Sequence, residues 1–138
     1  MSLYTSGWFQ LQDLVPQTVY TYCGNCGWEL LDERLLITLD RIRVIYGPMI
    51  INDWAYGGEI HWNGLRTAEC PVYNMYSQHA FGRAANIKFE NFDIAEVKND
   101  ILNGSALKEF EYITTIMTGD DYLHIDVRNG ERFTVLLP

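Results

Sequence analysis

Residues 77–84 read SQHAFGRA and are followed, after Ala85, by Asn86, which gives the spacing S-x-H-x-x-G-x-A-x-N. A second short stretch, 122–126, reads YLHID and places His124 in an H-x-D context. Both stretches combine an imidazole with an amide or a carboxylate. They are the segments from which we predict the fold and the site.

Alternation along two predicted strands gives each an apolar face and a polar face, because successive side chains of a strand point to opposite sides. In strand 122–128, Leu123, Ile125 and Val127 form the apolar face, and Tyr122, His124, Asp126 and Arg128 form the polar one. In strand 83–89, Ala85, Ile87 and Phe89 point to the core, and Ala84 and Asn86 point away.

Pairing of these two strands predicts a polar cleft. Side by side, they set Asn86 near His124, and His79 reaches in from the loop before the first strand. The alternative is that both polar faces are simply exposed to water. Each strand taken alone favours the exposed alternative, and only the order and spacing in which the two strands carry these residues favour the cleft.

The rest of the chain predicts an α+β fold, a small antiparallel sheet with helices packed on one face. One helix begins at Asp32 as N-cap, carries an apolar stripe at helical spacing and ends at Gly47. A second begins at Asp93, with Glu96 placed to complete a capping box, and stops near Gly104. A shorter helix is expected around 16–22, and hairpin turns at Gly119-Asp120 and Asn129-Gly130. The predicted strands span 49–54, 83–89, 112–117, 122–128 and 133–137.

Composition fits one small globular domain of 138 residues, with 48% hydrophobic and 20% charged residues. The formal net charge of −8 argues against a nucleic-acid or anionic-membrane partner, since such surfaces require clustered Lys and Arg. No apolar run reaches the length of a membrane span. The N-terminus lacks the basic and apolar regions of a signal peptide, which predicts synthesis in the cytoplasm.

Three cysteines do not make a disulfide framework. Cys23 and Cys26 have the C-x-x-C spacing of a zinc knuckle or a redox pair, but a structural zinc needs two more ligands, and only Cys70 and His61 remain for that role. We expect reduced thiols near a helix end, and we expect His61 to be a surface or packing residue.

The S-x-H-x-x-G-x-A-x-N segment resembles the S-x-H-x-x-G-x-A-x-D motif of the zinc D-Ala-D-Ala peptidases and related phage endolysins, peptidase family M15. Residues 62–67 (WNGLRT) resemble the S-G-x-R-S/T segment that precedes this motif in the family, and 121–124 (DYLH) resembles the D-Y-x-H of phage endolysins that cut L-alanyl-D-glutamate. The opening 8–16, the helix after Asp32 and the segment around 51–58 resemble small phage and prophage members. The resemblance therefore covers the whole chain and implies a single M15-like domain, 1–138, with a Hedgehog/DD-peptidase-like fold.

The resemblance also implies roles for individual residues. His79 and His124 stand at zinc-ligand positions, and Asn86 stands where the family has an anionic ligand. Such a zinc ion keeps one position for water, whose pKa falls to about 7. The remaining roles fall to four residues: Asp121 as general acid/base, Arg66 as the pocket cation for a carboxylate or oxyanion, Asp126 as the group that orients an imidazole, and Ser77 as a pocket hydrogen-bond donor.

Asn86 leaves three functions open, because an amide oxygen is a neutral and much weaker zinc donor than a carboxylate. The first is a zinc peptidase that acts on peptidoglycan stem peptides, delivered to the cell wall by other factors. The second is a catalytically silent M15-like module that still binds wall peptides. The third is a virion or prophage structural protein, with phage proteins as its partners. Zinc is the expected cofactor in the first case only.

Overall fold

The computed structural model describes residues 3–104, 107–130 and 134–136, and folds them into three α-helices and a five-stranded sheet. The order of strands across the sheet is β1-β2-β4-β3-β5. This is an α+β arrangement, as expected from the sequence. The helices are α1 (Gln17–Cys23), α2 (Glu33–Tyr46) and α3 (Ile94–Asn103), and the strands are β1 (Met49–Ile50), β2 (Ala84–Phe89), β3 (Thr115–Thr118), β4 (Leu123–Asp126) and β5 (Thr134–Val135).

Helix α2 forms where its capping residues and apolar stripe predict it. Asp32 precedes the helix in an extended conformation, and its Oδ1 accepts a hydrogen bond from the backbone N–H of Arg34 at 2.8 Å. Gly47 ends the helix with a φ of 77°, which favours glycine. The apolar stripe is buried in the core and consists of Leu35, Leu36, Leu39, Ile42 and Tyr46.

Helix α3 forms without the predicted capping box. Asp93 is extended at the N-cap position, but its side chain makes no capping hydrogen bond. Val97 and Ile101 are both fully buried in the core. Packing of this apolar face therefore stabilises α3 in place of a side-chain capping hydrogen bond.

Strands β2 and β4 pair antiparallel, with Asn86 directly opposite His124 and Ala85 opposite Ile125. Ala85, Ile87, Leu123 and Ile125 are fully buried on one face and share a core cluster with the apolar residues of α2 and α3. The polar residues of the other face are also buried: Asn86 is 4% exposed, His124 7% and Asp126 0%. The predicted pairing is confirmed, and the alternative of two water-exposed polar faces is wrong.

The far end of the sheet differs from the prediction, because β5 runs parallel to β3 and the sheet is not purely antiparallel. The N–H of Thr134 donates to Thr114 O at 3.0 Å and that of Leu136 to Ile116 O at 2.9 Å. Both edges of β4 are already paired, with β2 and β3, so the chain after β4 pairs with the free edge of β3. Asn129-Gly130 is therefore not a hairpin turn between neighbouring strands, whereas Gly119-Asp120 does lie in the β3–β4 hairpin.

Most strands are shorter than predicted. Only Met49–Ile50 of 49–54 pairs, and Trp54–Tyr56 forms a 3-10 turn. Of the predicted strand 133–137, residues 133 and 137 lie outside the described residues. Across the described ranges, no helix combines the length and apolarity needed to cross a membrane.

Candidate functional site

The loop before β2 places His79 against the sheet. The backbone N–H groups of Ala80 and Gly82 donate to Ser77 O and His79 O at 3.0 and 3.3 Å, and Ser77 Oγ accepts from the N–H of His79 at 3.2 Å. Gly82 has a φ of 69°, and a Cβ there would lie 1.9 Å from Leu30 O. This position requires glycine both for its backbone conformation and for its close approach to the chain at Leu30.

Residues 62–66 form the opposite wall of the site. Gly64 packs so closely on the chain that a Cβ there would lie 2.1 Å from Leu14 O. Buried Asn52 fixes the segment, because its Oδ1 accepts from the N–H of Asn63 at 2.9 Å and its Nδ2 donates to Val15 O at 3.2 Å. The carbonyl of Gly64 is thereby presented to the ring of His79.

His79, Asn86 and His124 meet on the polar face of the sheet and are called here the imidazole–amide cluster. The Nδ1 of His124 lies 2.9 Å from Oδ1 of Asn86, and the two imidazole ring centroids are 5.2 Å apart. His79 Nδ1 lies 2.8 Å from Gly64 O. A carbonyl oxygen only accepts, so His79 donates from Nδ1 and its Nε2 carries the lone pair. The sequence predicted the convergence of these three residues, and the structure has it.

Asp126 holds the far side of the His124 ring. Its carboxylate accepts from Arg128 Nε at 2.8 Å and Nη2 at 2.6 Å, and its Oδ2 lies 2.8 Å from His124 Nε2. Burial alone raises the pKa of Asp126, but the hydrogen bonds from Arg128 and His124 outweigh it and lower that pKa to about 2. Asp126 is thus an acceptor only, and His124 donates to it from Nε2. This is the orienting contact expected for Asp126.

The environment keeps the His79 ring neutral. Its pKa is lowered from 6.5 to about 3, mainly by burial and in addition by the positive charge of Arg66 and by the ring of His124. His79 is only 3% exposed. Its unprotonated Nε2 is therefore an acceptor throughout the neutral pH range.

Arg66 lies beside the cluster in a half-buried position. Its Nε donates to Trp62 O at 2.8 Å, and its backbone N–H donates to His79 O at 3.1 Å. In the described part of the chain its guanidinium makes no ion pair, and burial lowers its pKa. An unpaired guanidinium in a partly desolvated position is suited to bind an anionic group.

A groove of ≈ 450 Å³, called here the Arg66 groove, begins at this guanidinium. Thr67 lines it, and the buried Thr67 Oγ1 has no hydrogen-bond partner among the described residues. The groove thus offers apolar and aromatic walls together with a cation. Its lining comprises Leu30, Leu65, Arg66, Thr67, Ala68, Tyr73, Ala80 and Phe81.

Asp121 is placed less favourably than the other predicted residues. Its side chain is 67% exposed, and its carboxylate pairs with Lys88 Nζ at 2.8 Å. Lys88 follows Asn86 by two residues on β2 and points to the same face of the sheet. Asp121 therefore lies on the correct side of the sheet but is engaged by a cation. The oxygen of Ser77 accepts within its own loop, so the structure shows it shaping the turn.

Sequence reasoning missed several of these partners. Lys88 offered a signal, since strand alternation alone puts it on the face of Asn86. No sequence signal indicated the roles of Asn52 and of the Gly64 carbonyl, because these roles depend on contacts between distant segments. Among the remaining candidates, His61 stacks parallel to Trp54 at 6.3 Å, and Cys23 and Cys26 are exposed free thiols, Cys23 being the last residue of α1.

The residues of the imidazole–amide cluster do not fit a zinc centre as they stand. Two imidazoles and a neutral amide replace the expected two imidazoles and a carboxylate, and Asn86 Oδ1 is already bonded to the His124 nitrogen that faces it. The described residues contain no group of three His, Cys, Asp or Glu side chains arranged to hold a metal ion. Asp126 does not substitute for the carboxylate, since it lies across the ring and is bound by Arg128.

Asp126→Asn is expected to lower the free energy of unfolding by about 2–4 kcal/mol, because it leaves Arg128 and His124 facing a buried neutral amide. Urea unfolding at pH 7 measures this loss. Asp93→Asn is the matched control, since Asp93 is exposed and makes no capping hydrogen bond, and it should change stability by less than about 0.5 kcal/mol. Equal stability of the two variants would show that Asp126 does not support the site.

Comparison of the chain with protein-family models, with curated proteins and with solved structures gives no match. The geometry of the site therefore carries the functional argument.

Proposed function

We propose that this chain is an M15-like, Hedgehog/DD-peptidase-like domain that binds peptidoglycan stem peptides, and that it hydrolyses them weakly or not at all while residue 86 is Asn. The observation that carries the proposal is the position of Arg66, a half-buried guanidinium without an ion pair in the described residues, beside the imidazole–amide cluster. The order of these residues along the chain supports the M15-like assignment, and their chemistry supports binding.

The Arg66 groove is suited to a short peptide that ends in, or carries, a carboxylate. The guanidinium provides charge-assisted donors for that carboxylate. The walls formed by Tyr73 and Phe81 accept small apolar side chains. Stem peptides combine these features, since they contain alanine residues and free carboxylates. Hydrolysis is a separate matter, because the cluster lacks the anionic ligand that a zinc peptidase of this kind uses.

Arg66→Ala is expected to weaken binding of a purified stem tetrapeptide or pentapeptide by about 10- to 100-fold, the range of one charge-assisted hydrogen-bonding group. Titration calorimetry with the natural chain and the variant measures this change. Arg66→Lys, which retains the charge but not the planar fork, should recover only part of the affinity.

The matched control is Lys108→Ala, which removes an exposed positive charge on the segment before β3 and should leave the affinity unchanged. A C-terminally amidated peptide should bind the natural chain and Arg66→Ala with similar weakness. Undiminished binding by Arg66→Ala would refute the proposed groove, and absence of binding by the natural chain would refute the proposed function.

A further inference from the structure

The imidazole–amide cluster differs from a zinc ligand set in how its polar atoms find their hydrogen-bond partners. His79 Nε2 carries a lone pair because Nδ1 donates to Gly64 O. His124 donates from Nε2 to the carboxylate of Asp126, so its remaining nitrogen, Nδ1, faces Asn86 at 2.9 Å. All three residues of the cluster are less than 8% exposed. Every polar atom there therefore has to be matched inside the protein.

An amide meets this requirement whether or not His124 Nδ1 carries a proton, whereas a carboxylate meets it only when Nδ1 is protonated. The amide oxygen accepts a hydrogen bond if His124 Nδ1 carries a proton, and after a half-turn of the amide its nitrogen donates to a bare Nδ1. A carboxylate only accepts, so beside a bare imidazole nitrogen it leaves two lone pairs opposed unless a cation lies between them. Asn86 thus satisfies the His124 ring without any cation.

The imidazole–amide cluster also brings together separate parts of the fold. Asn86 belongs to β2, His124 to β4, and His79 to the loop that Ser77 and Gly82 shape. On the other side, His79 holds the carbonyl of Gly64, and the N–H of Asn86 donates to Asn63 O at 2.8 Å. The cluster therefore fastens the 62–66 segment and the 77–82 loop to the centre of the sheet.

We infer that Asn86 makes the imidazole–amide cluster a metal-independent clasp that stabilises the fold, with its side-chain amide bonded where a metal ion would otherwise bind. A divalent cation has to break the Asn86–His124 hydrogen bond, and Asn86 offers it only a neutral oxygen in place of a carboxylate. This inference is independent of peptide recognition, since it concerns how the cluster holds the two segments and not what the Arg66 groove binds.

Unfolding of the natural chain by urea, with a chelator and then with equimolar Zn²⁺, tests the clasp directly. The midpoints should coincide, and the ring ¹⁵N and carbon-bound ¹H resonances of His79 and His124 should not shift on addition of zinc. Stabilisation by equimolar zinc together with shifts of both rings would overturn the inference. This measurement uses only the natural chain, so it holds even if a variant fails to fold.

Asn86→Ala provides the second arm. Removal of the amide leaves His124 Nδ1 buried without a partner and should raise the unfolded-to-folded ratio about 10- to 100-fold, with no recovery on addition of zinc. Asn91→Ala removes an exposed amide just after β2 and should change that ratio less than about threefold. Unchanged stability of Asn86→Ala would show that the clasp contributes nothing to the fold.

Discussion

Asn86→Asp is expected to raise the affinity of the chain for Zn²⁺ by orders of magnitude over that of the natural chain. The substitution supplies the carboxylate that offsets a dication between the imidazoles of His79 and His124. Because a metal that binds only the native state stabilises it, zinc at a hundredfold excess over its Kd should add about 2.7 kcal/mol to the free energy of unfolding. Metal content and titration calorimetry measure the gain in zinc affinity, and thermal unfolding measures the gain in stability.

Two controls separate a zinc centre from added surface charge. Asn91→Asp makes the same one-atom change at an exposed position and should leave the zinc response at that of the natural chain. His79→Ala in the Asn86→Asp background should abolish the gain, since it removes a ligand. A zinc-insensitive Asn86→Asp variant would mean that the cluster has departed too far from a metal site. Stoichiometric zinc in the natural chain would mean that the amide costs less affinity than its chemistry implies.

The same background tests the role predicted for Asp121. If Asn86→Asp hydrolyses a stem peptide, Asp121→Asn should lower turnover by about 10²-fold with zinc content unchanged, the typical size of general acid–base help. Asp120→Asn is the matched neighbour and should have little effect. Asp121 pairs with Lys88, so Lys88→Met should free the carboxylate and raise turnover. Identical turnover in the Asp120 and Asp121 variants would exclude the role of Asp121.

The centre of this site could be predicted from the sequence because it depends on side-chain alternation within two short strands. Period-two alternation fixes which side chains of β2 and β4 share a face, and the burial of Ile87 and Ile125 on the other face fixes the register. Asn86 therefore had to lie near His124 once the two strands were paired. The loop that holds His79 was expected only as the segment before β2, and its shape depends on Gly82, whose backbone conformation and close packing admit no side chain.

The features that escaped prediction depend on competition between distant segments. β5 pairs parallel with β3 because β4 has no free edge, and no local pattern in 133–137 reveals that. Lys88 on β2 forms a salt bridge with Asp121 just before the neighbouring β4. Strand periodicity allows this contact but does not predict it. The Arg66 groove needs Leu30 from one part of the chain and Phe81 from another. Such contacts appear only when the whole chain is packed.

Acidification is expected to destabilise the fold well before its carboxylates titrate, and His79 is the reason. Burial, with Arg66 and His124 nearby, lowers the pKa of His79 from 6.5 to about 3. Between these two pH values the unfolded chain therefore binds a proton at His79 and the native chain does not. The stability contributed by the neutral ring is complete above pH 6.5 and is lost as the pH falls toward 3. Each pH unit well inside that window costs about 1.4 kcal/mol, so the free energy of unfolding should fall by about 2 kcal/mol between pH 6.5 and 4.5.

Urea unfolding at half-unit steps from pH 7.5 to 4.5 measures this slope, and His79→Gln isolates its source. Glutamine keeps a donor for Gly64 O but does not titrate, so the variant should lose most of the slope whatever its stability at pH 7. His61→Gln is the control, because His61 stacks on Trp54 away from the cluster and should leave the slope as in the natural chain. Asp126 acts only at lower pH, since its lowered pKa of about 2 confines its loss of stability to the range below about pH 4. An unchanged slope in His79→Gln would assign the acid sensitivity elsewhere and would show that the ring of His79 is accessible to protons in the native state.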